Sequence, residues 1–134
     1  FRWLGGMLTN MTTIKKSIAR LDYLENLDKQ PEYKSMSKKE LAALAREREK
    51  LQRNLQGIRT MGGSPDVMVA IGADHEDIAI REAHILGIPV IVLTDTNADP
   101  DSVDFPIPGN DDAVRSIRLI LSVLVEAINK SKPA

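Results

Sequence analysis

The chain of 134 residues contains no cysteine. It can therefore form neither a disulfide framework nor a thiolate metal site, and it has no cysteine nucleophile, which fits a reducing compartment. Long apolar runs are also absent, since the longest, 119–125, falls far short of the roughly 20 residues that span a bilayer. No secretory signal pattern is visible. The sequence starts with Phe1 and not Met, so we expect further residues upstream.

Histidine is scarce as well, which limits the catalytic and metal chemistry that the sequence can support. His75 and His84 lie on one predicted helix, nine positions apart, and therefore on opposite sides of it. They cannot share a metal ion, and no third ligand is evident. The sequence offers no arrangement of Ser, His and Asp from which a nucleophilic triad can be argued.

Charge is divided sharply between the two halves of the chain. Residues 1–63 carry 13 Lys and Arg against 7 Asp and Glu, a net of +6, whereas residues 64–134 carry 5 against 12, a net of −7. This asymmetry is typical of a basic region that meets a polyanion, joined to an acidic globular body. Ordinary variation of charge among helix surfaces is the alternative.

Two helices are predicted in the basic half. The apolar positions of the first recur at spacings of three and four and predict a helix over 12–27, which Pro31 ends. Ser37 and Glu40 then form the pattern of a capping box that opens a second helix. Its apolar positions are Leu41, Leu44, Leu51, Leu55 and Ile58. Two narrowly striped helices joined by a short polar turn predict an antiparallel coiled-coil hairpin that projects as an arm.

The acidic half has the pattern of an α/β domain. Apolar runs at 67–71 and 90–94 predict strands covered on both faces, as in a parallel sheet. Between them we expect a helix with Asp74 as its N-cap and Gly87 as its stop, completing a right-handed βαβ unit. A short strand over 103–107 and a helix over about 111–129 follow.

Together these elements predict an α/β fold: a partial doubly wound parallel sheet with an inserted antiparallel helical coiled-coil hairpin. The predicted regions are a segment that packs on the body (1–10), the hairpin arm (11–61) and the α/β body (62–134). A sheet of two or three strands leaves an edge and a face uncovered. We therefore expect further strands from upstream residues, or from a partner.

Polar loops follow the predicted strands and raise the possibility of an enzyme. Asp74 and Asp95 would lie at the carboxyl ends of neighbouring strands, where Mg²⁺ could support phosphoryl chemistry or nucleotide binding. The competing interpretation, which we favour, is that Asp74 caps its helix and that the carboxylates around Pro100 form turns. The cluster 109–112 likewise caps the last helix, because Asp111 and Asp112 repel an anion.

The basic half supplies the candidate RNA-binding residues, which can reach phosphates from positions off the apolar stripes. They are Arg2, Lys15, Lys16, Arg20, Lys38, Lys39, Arg46, Lys50, Arg53 and Arg59. The alternative is a solvated helix surface with pairs four residues apart, of which Glu49–Arg53 is one. Trp3 could stack on a base, or it could anchor the core where arm and sheet meet, which we prefer.

Several segments resemble the bacterial-type small-subunit ribosomal protein S2 family, bacterial or organellar. They are RWLGGMLTN (2–10), GIRTMGGSPD (57–66), DHE (74–76), IAIREA (78–83), LGIP (86–89), DTNADP (95–100), VDF (103–105) and IPGNDDA (107–113). They occur in family order along nearly the whole chain. The family begins with further strands and helices that this sequence lacks.

The resemblance implies a structural constituent of the small ribosomal subunit that is not an enzyme and has no cofactor or small-molecule substrate. It implies contact with small-subunit rRNA, with other small-subunit proteins, and with protein S1, whose docking assists mRNA loading. The implied location is the cytoplasmic ribosome in a bacterium, or the mitochondrial matrix or plastid stroma in an organelle.

Overall fold

The computed structural model describes residues 3–95 and 103–131. The chain divides into two compact units, Phe1–Ser64 (unit 1) and Pro65–Ala134 (unit 2). Unit 1 contains α1 (Met11–Glu25), two short 3₁₀ helices (Leu27–Lys29 and Pro31–Ser35) and α2 (Lys38–Leu55). Unit 2 contains β1 (Met68–Ile71), α3 (Asp77–Ile85), β2 (Val90–Thr94), β3 (Phe105–Pro108) and α4 (Val114–Ser131). Among the described helices, none has the length and apolar character of a membrane span.

Local hydrogen bonds explain where the helices of unit 1 begin. The Asn10 side chain accepts a hydrogen bond from the Thr13 N–H at 3.4 Å and caps α1. α2 begins with the predicted capping box: Ser37 Oγ accepts from the Glu40 N–H at 3.3 Å, and the Glu40 carboxylate accepts from the Ser37 N–H at 2.8 Å. α1 ends at Glu25, before the predicted residue 27, because the chain turns into the 3₁₀ helices there.

The core of unit 1 joins the segment before α1 to both helices. Its buried cluster consists of Met7, Ile14, Leu21 and Leu55, with Trp3, Met11, Ile18, Leu51 and Ile58 packed against it. Leu21 and Leu55 are only 0% and 1% exposed, and full burial of such a side chain contributes about 1.5–3 kcal/mol. Trp3 is thus a packing residue of this cluster.

The packing of α1 on α2 is uneven along α2, whose residues are all described. Leu55 is the one buried residue of this helix, whereas Leu41 and Leu44 are half-buried. The latter two line an open cleft of about 510 Å³ with Leu24 and Leu27. A regular coiled-coil seam would bury an apolar residue at each turn of both helices. The coiled-coil hairpin therefore stays a prediction.

Unit 2 is built on a three-stranded parallel sheet in the order β1–β2–β3. β1 pairs with β2 from Met68 opposite Val90 to Ile71 opposite Leu93, and α3 connects these two strands. The predicted α/β class is confirmed, and β2 has its predicted bounds. β3 begins at Phe105 and not at residue 103, because the residues before it form a bend.

The central strand carries the core of unit 2. Val90 and Val92 are both 0% exposed, and α3 adds the buried residues Ala79, Ile80 and Ala83. On α4, Ile120, Leu121 and Leu124 border a small apolar space that is also lined by residues of all three strands. Other apolar residues of α4 stay exposed, namely Val114, Leu119, Val123, Val125 and Ile128.

Candidate nucleic-acid interface

The predicted RNA-binding residues lie in unit 1, and all but Arg2 belong to the described part of the chain. α1 carries Lys15, Lys16 and Arg20, α2 carries Lys38, Lys39, Arg46, Lys50 and Arg53, and Arg59 follows α2. All of these side chains except Arg59 belong to exposed residues. The apolar positions of both helices pack inward, which leaves the cations facing outward.

Arg20 is bound within unit 1. Its Nε and Nη2 donate to the two carboxylate oxygens of Glu47, each at 2.9 Å, and its guanidinium carbon lies 5.4 Å from the centroid of the Tyr23 ring. The hydrogen bonds raise the pKa of Arg20 and lower the pKa of Glu47. This bidentate pair links α1 to α2.

Arg59 forms a second link between distant segments. Its Nη2 makes ion pairs with Asp22 and with Glu25, the latter at 2.7 Å. Hydrogen bonds to Glu25 and Asp22 raise the pKa of Arg59. Because both carboxylates belong to α1, Arg59 ties the segment after α2 back to α1.

The remaining cations divide into one weakly paired arginine and six free groups. Arg53 forms the predicted pair with Glu49 at 3.3 Å, with both side chains well exposed. The six others make no ion pair with any residue between 3 and 95 or between 103 and 131. They are Lys15, Lys16, Lys38, Lys39, Arg46 and Lys50. These groups are available to a polyanion.

The carboxylates considered for a metal site lie beside neighbouring strands. Asp74 follows β1 and Asp95 follows β2, and both residues are exposed. Asp95 takes part in an interaction within the chain. The described residues contain no group of three or more His, Asp or Glu that could hold a metal ion. The polar turn predicted around Pro100 lies outside the described residues.

The prediction that Asp74 caps α3 is wrong. The helix begins at Asp77, and its N-cap residue is Glu76, which makes no side-chain capping bond. Asp74 lies instead in the turn after Gly72, whose φ of +81° is a conformation that favours glycine. Aspartate is favoured both in turns and at N-caps, so its presence alone did not fix the helix start.

Asn110 forms a polar turn just before the last helix. Its Oδ1 accepts hydrogen bonds from the N–H groups of Asp112 and Ala113, both at 2.8 Å. α4 itself begins at Val114, later than the predicted residue 111. The structure therefore places the cluster 109–112 in a turn before α4, and its role as a cap of this helix stays a prediction.

One polar link of unit 2 was missed from the sequence. Asp104 Oδ2 accepts a hydrogen bond from the Val90 N–H at 2.9 Å and lies 3.4 Å from His84 Nε2. The carboxylate thus fixes the start of β2 to the bend before β3. No local spacing signals this contact, because Asp104 lies 14 residues from Val90 along the chain.

Nearly the whole chain matches one family of known proteins. The family model described as Ribosomal protein S2 matches residues 1–131. The chain belongs to the ribosomal protein S2 family. The resemblance seen in the sequence is thereby confirmed.

Three bacterial relatives of this S2-family chain are each called small ribosomal subunit protein uS2. The protein of Pasteurella multocida is 53% identical over 131 residues, covering 98% of the chain and 55% of the relative. That of Idiomarina loihiensis is 50% identical over 133 residues, with coverage of 99% and 55%. That of Pseudoalteromonas translucida is 51% identical over 131 residues, with coverage of 98% and 54%. The chain therefore spans about half the length of these relatives.

The family assignment decides between the two interpretations of the polar loops in unit 2. The family and the relatives carry the names of ribosomal proteins, and none of these names is that of an enzyme. The alternative of a phosphoryl-handling site at Asp74 and Asp95 is therefore set aside in this S2-family chain.

Proposed function

We propose that this chain is a structural part of the small ribosomal subunit and that it binds small-subunit rRNA through unit 1. The observation that carries the proposal is the set of six exposed cations on α1 and α2 that make no ion pair with any residue that the structure describes. Lysine and arginine contacts to phosphate position a protein on RNA without reading its sequence. We therefore expect binding that depends on charge more than on base identity.

A second part of this proposal concerns the hairpin arm predicted over 11–61. We infer that α1 and α2 act together as an antiparallel hairpin over 11–61 that presents cations to rRNA. The pair between Arg20 and Glu47 supports a shared hairpin, as does the common apolar cluster.

The acidic unit 2 is proposed to face solvent or protein. Its net charge of −7 over residues 64–134 disfavours close approach to a phosphate backbone. We propose that it meets other small-subunit proteins, including protein S1, which the family resemblance implies. Because the named relatives come from bacteria, we place the chain on the cytoplasmic ribosome of a bacterium.

Charge reversal in one unit at a time tests the proposal. One variant carries Lys15→Glu, Lys16→Glu, Lys38→Glu and Lys39→Glu in unit 1. The matched control carries Arg81→Glu, Arg115→Glu, Arg118→Glu and Lys130→Glu in unit 2, with the same change of charge. Both are assayed for binding to purified bacterial small-subunit rRNA, with circular dichroism as the check of folding.

The expected result is loss of rRNA binding in the unit 1 variant and a much smaller loss in the control. The wild-type affinity should also fall steeply as salt rises, because each phosphate contact releases counterions. Equal binding by both variants would contradict the assignment of rRNA binding to unit 1.

A further inference from the structure

We propose that Lys39, Arg46 and Lys50 form one phosphate-binding stripe along α2, and that this face of unit 1 lies against the sugar-phosphate backbone of the RNA. The inference rests on the proposed function, because it names the face by which unit 1 binds rRNA. All three residues are exposed, and none forms an ion pair with a described residue.

Helical geometry places the three cations in line. At 3.6 residues per turn, each position advances by about 100°, so Lys39, Arg46 and Lys50 fall within about 40° of one another. Arg53 extends the stripe, which then measures about 21 Å along the helix axis. Leu51 and Leu55, which contact the core of unit 1, lie on the opposite side of the helix. The stripe therefore points away from the core.

The acidic residues of the same helix do not neutralise this stripe. The Glu40 carboxylate is held by Ser37 in the capping box, and the Glu47 carboxylate is held by Arg20. Only Glu49 reaches the stripe, through its exposed contact with Arg53. Such exposed pairs are weak and screened by salt, so a phosphate can replace Glu49 as the partner of Arg53.

The spacing of the stripe suits contacts to separate phosphates. Neighbouring cations lie about 10.5 Å (Lys39 to Arg46), 6 Å (Arg46 to Lys50) and 4.5 Å (Lys50 to Arg53) apart along the axis. Phosphates follow one another closely along a nucleic-acid strand (about every 3.4 Å along the axis in B-form DNA), and each of these cation spacings is longer than that. Each cation of the stripe can thus bind its own phosphate. Between Lys39 and Arg46 the same face carries only Ala42 and Ala43, which leave room for the backbone.

A pair of triple variants of the whole chain tests the stripe. The stripe variant carries Lys39→Gln, Arg46→Gln and Lys50→Gln. The control carries Lys29→Gln, Lys34→Gln and Arg48→Gln, three exposed cations of unit 1 that lie off the stripe. Both lose three positive charges, and glutamine keeps a good helix propensity. The measurement is the dissociation constant for purified bacterial small-subunit rRNA over a series of potassium chloride concentrations.

The stripe variant should bind on the order of tenfold more weakly, and its plot of log affinity against log salt should be shallower by about 2 to 3. The control should keep the wild-type slope. Equal slopes in the two variants would overturn the stripe while leaving rRNA binding intact. A wild-type chain that does not bind the rRNA would overturn the proposed function itself. Should the triple variant not fold, Arg46→Gln alone should lower the slope by about 1.

Discussion

Units 1 and 2 differ both in charge and in how they cover their apolar side chains. Residues 1–63 carry a net charge of +6, and residues 64–134 carry −7. Unit 1 has an apolar cluster around Leu21 and Leu55, and its large exposed apolar residues, among those described, are Leu4 and Tyr33. In unit 2, Ile85, Val114 and Leu119 are 74%, 69% and 65% exposed. Among the described residues, unit 2 thus exposes more large apolar side chains than unit 1, whose surface carries the cations.

The two units also use their arginines differently. In unit 1, Arg20 and Arg59 bind carboxylates 27 and 37 residues away in the sequence. In unit 2, Arg81 pairs within its own helix with Asp77, four residues away. A planar guanidinium suits fixed bidentate links, and a lysine is a flexible point charge. In line with this difference, seven of the nine described cations of unit 1 that make no ion pair with a described residue are lysines.

The largest expected change in stability is the one that follows truncation of a core residue of unit 1. Truncation of an exposed residue of unit 2 is the comparison. Leu55→Ala should lower the free energy of unfolding by about 2–5 kcal/mol, because it leaves a cavity in the core. The exposed Leu119→Ala should change it by less than about 0.5 kcal/mol. Denaturant titration followed by Trp3 fluorescence measures the first, since Trp3 packs on this cluster and is the one tryptophan of the chain. A small loss in Leu55→Ala would contradict the core assignment.

The next effect tests whether one carboxylate organises unit 2. Asp104→Ala should lower the free energy of unfolding by about 1–3 kcal/mol, because the N–H of Val90 loses its acceptor. Val90 is 0% exposed. Asp104→Asn keeps an acceptor oxygen and should cost clearly less. Circular dichroism during urea unfolding gives both values. Equal stabilities of the two variants would show that the hydrogen bond contributes nothing.

A smaller loss of stability is expected when the capping box of α2 is removed. Ser37→Ala removes the acceptor for the Glu40 N–H and should destabilise the protein by about 1 kcal/mol. Ser122→Ala on α4, where the hydroxyl donates to the Leu119 carbonyl within the helix, is the control and should be nearly neutral. Thermal unfolding of both variants makes the comparison. A neutral Ser37→Ala would argue against the cap.

The smallest effect concerns the pH dependence of the Arg20–Glu47 link. In the folded state, hydrogen bonding to Arg20 lowers the pKa of Glu47 below its ordinary value of 4.5. The stabilisation is therefore present above pH 4.5 and is lost as pH falls through the lower folded pKa. Because both side chains are exposed, we expect the link to contribute less than about 1 kcal/mol to the free energy of unfolding.

Unfolding free energies measured across this acidic range should show a shallower pH dependence in Glu47→Gln than in the wild type. Glu126→Gln, which removes a pair within α4, provides the matched control in unit 2. An unchanged pH profile in Glu47→Gln would contradict a stabilising role for the link between α1 and α2.

Local signals in the sequence predicted the elements better than their boundaries. The capping box at Ser37, the pair of Glu49 with Arg53 and the limits of β2 all follow from spacing within a few residues, and the structure contains them. The start of α3 could not be predicted from the sequence, because aspartate at position 74 is compatible with a turn as well as with a helix cap. Contacts far apart in sequence left no local pattern.

The sequence predicted which half of the chain carries the candidate interface, but not which of its cations are free to bind RNA. Charge counting identified the basic half, and helical periodicity placed its cations off the apolar stripes. Neither signal could distinguish Arg20 and Arg59, which form ion pairs within unit 1, from cations such as Lys39 that have no such partner among the described residues. That separation depends on which carboxylates the tertiary structure brings near each guanidinium.

Sedimentation tests the central claim of a ribosomal, rRNA-dependent role most directly. The tagged chain, expressed in a bacterium related to those named above, is followed through a sucrose gradient with and without prior RNase treatment of the lysate. We expect the chain to migrate with the small ribosomal subunit and RNase to abolish this migration. Migration as a small free species, unchanged by RNase, would contradict it.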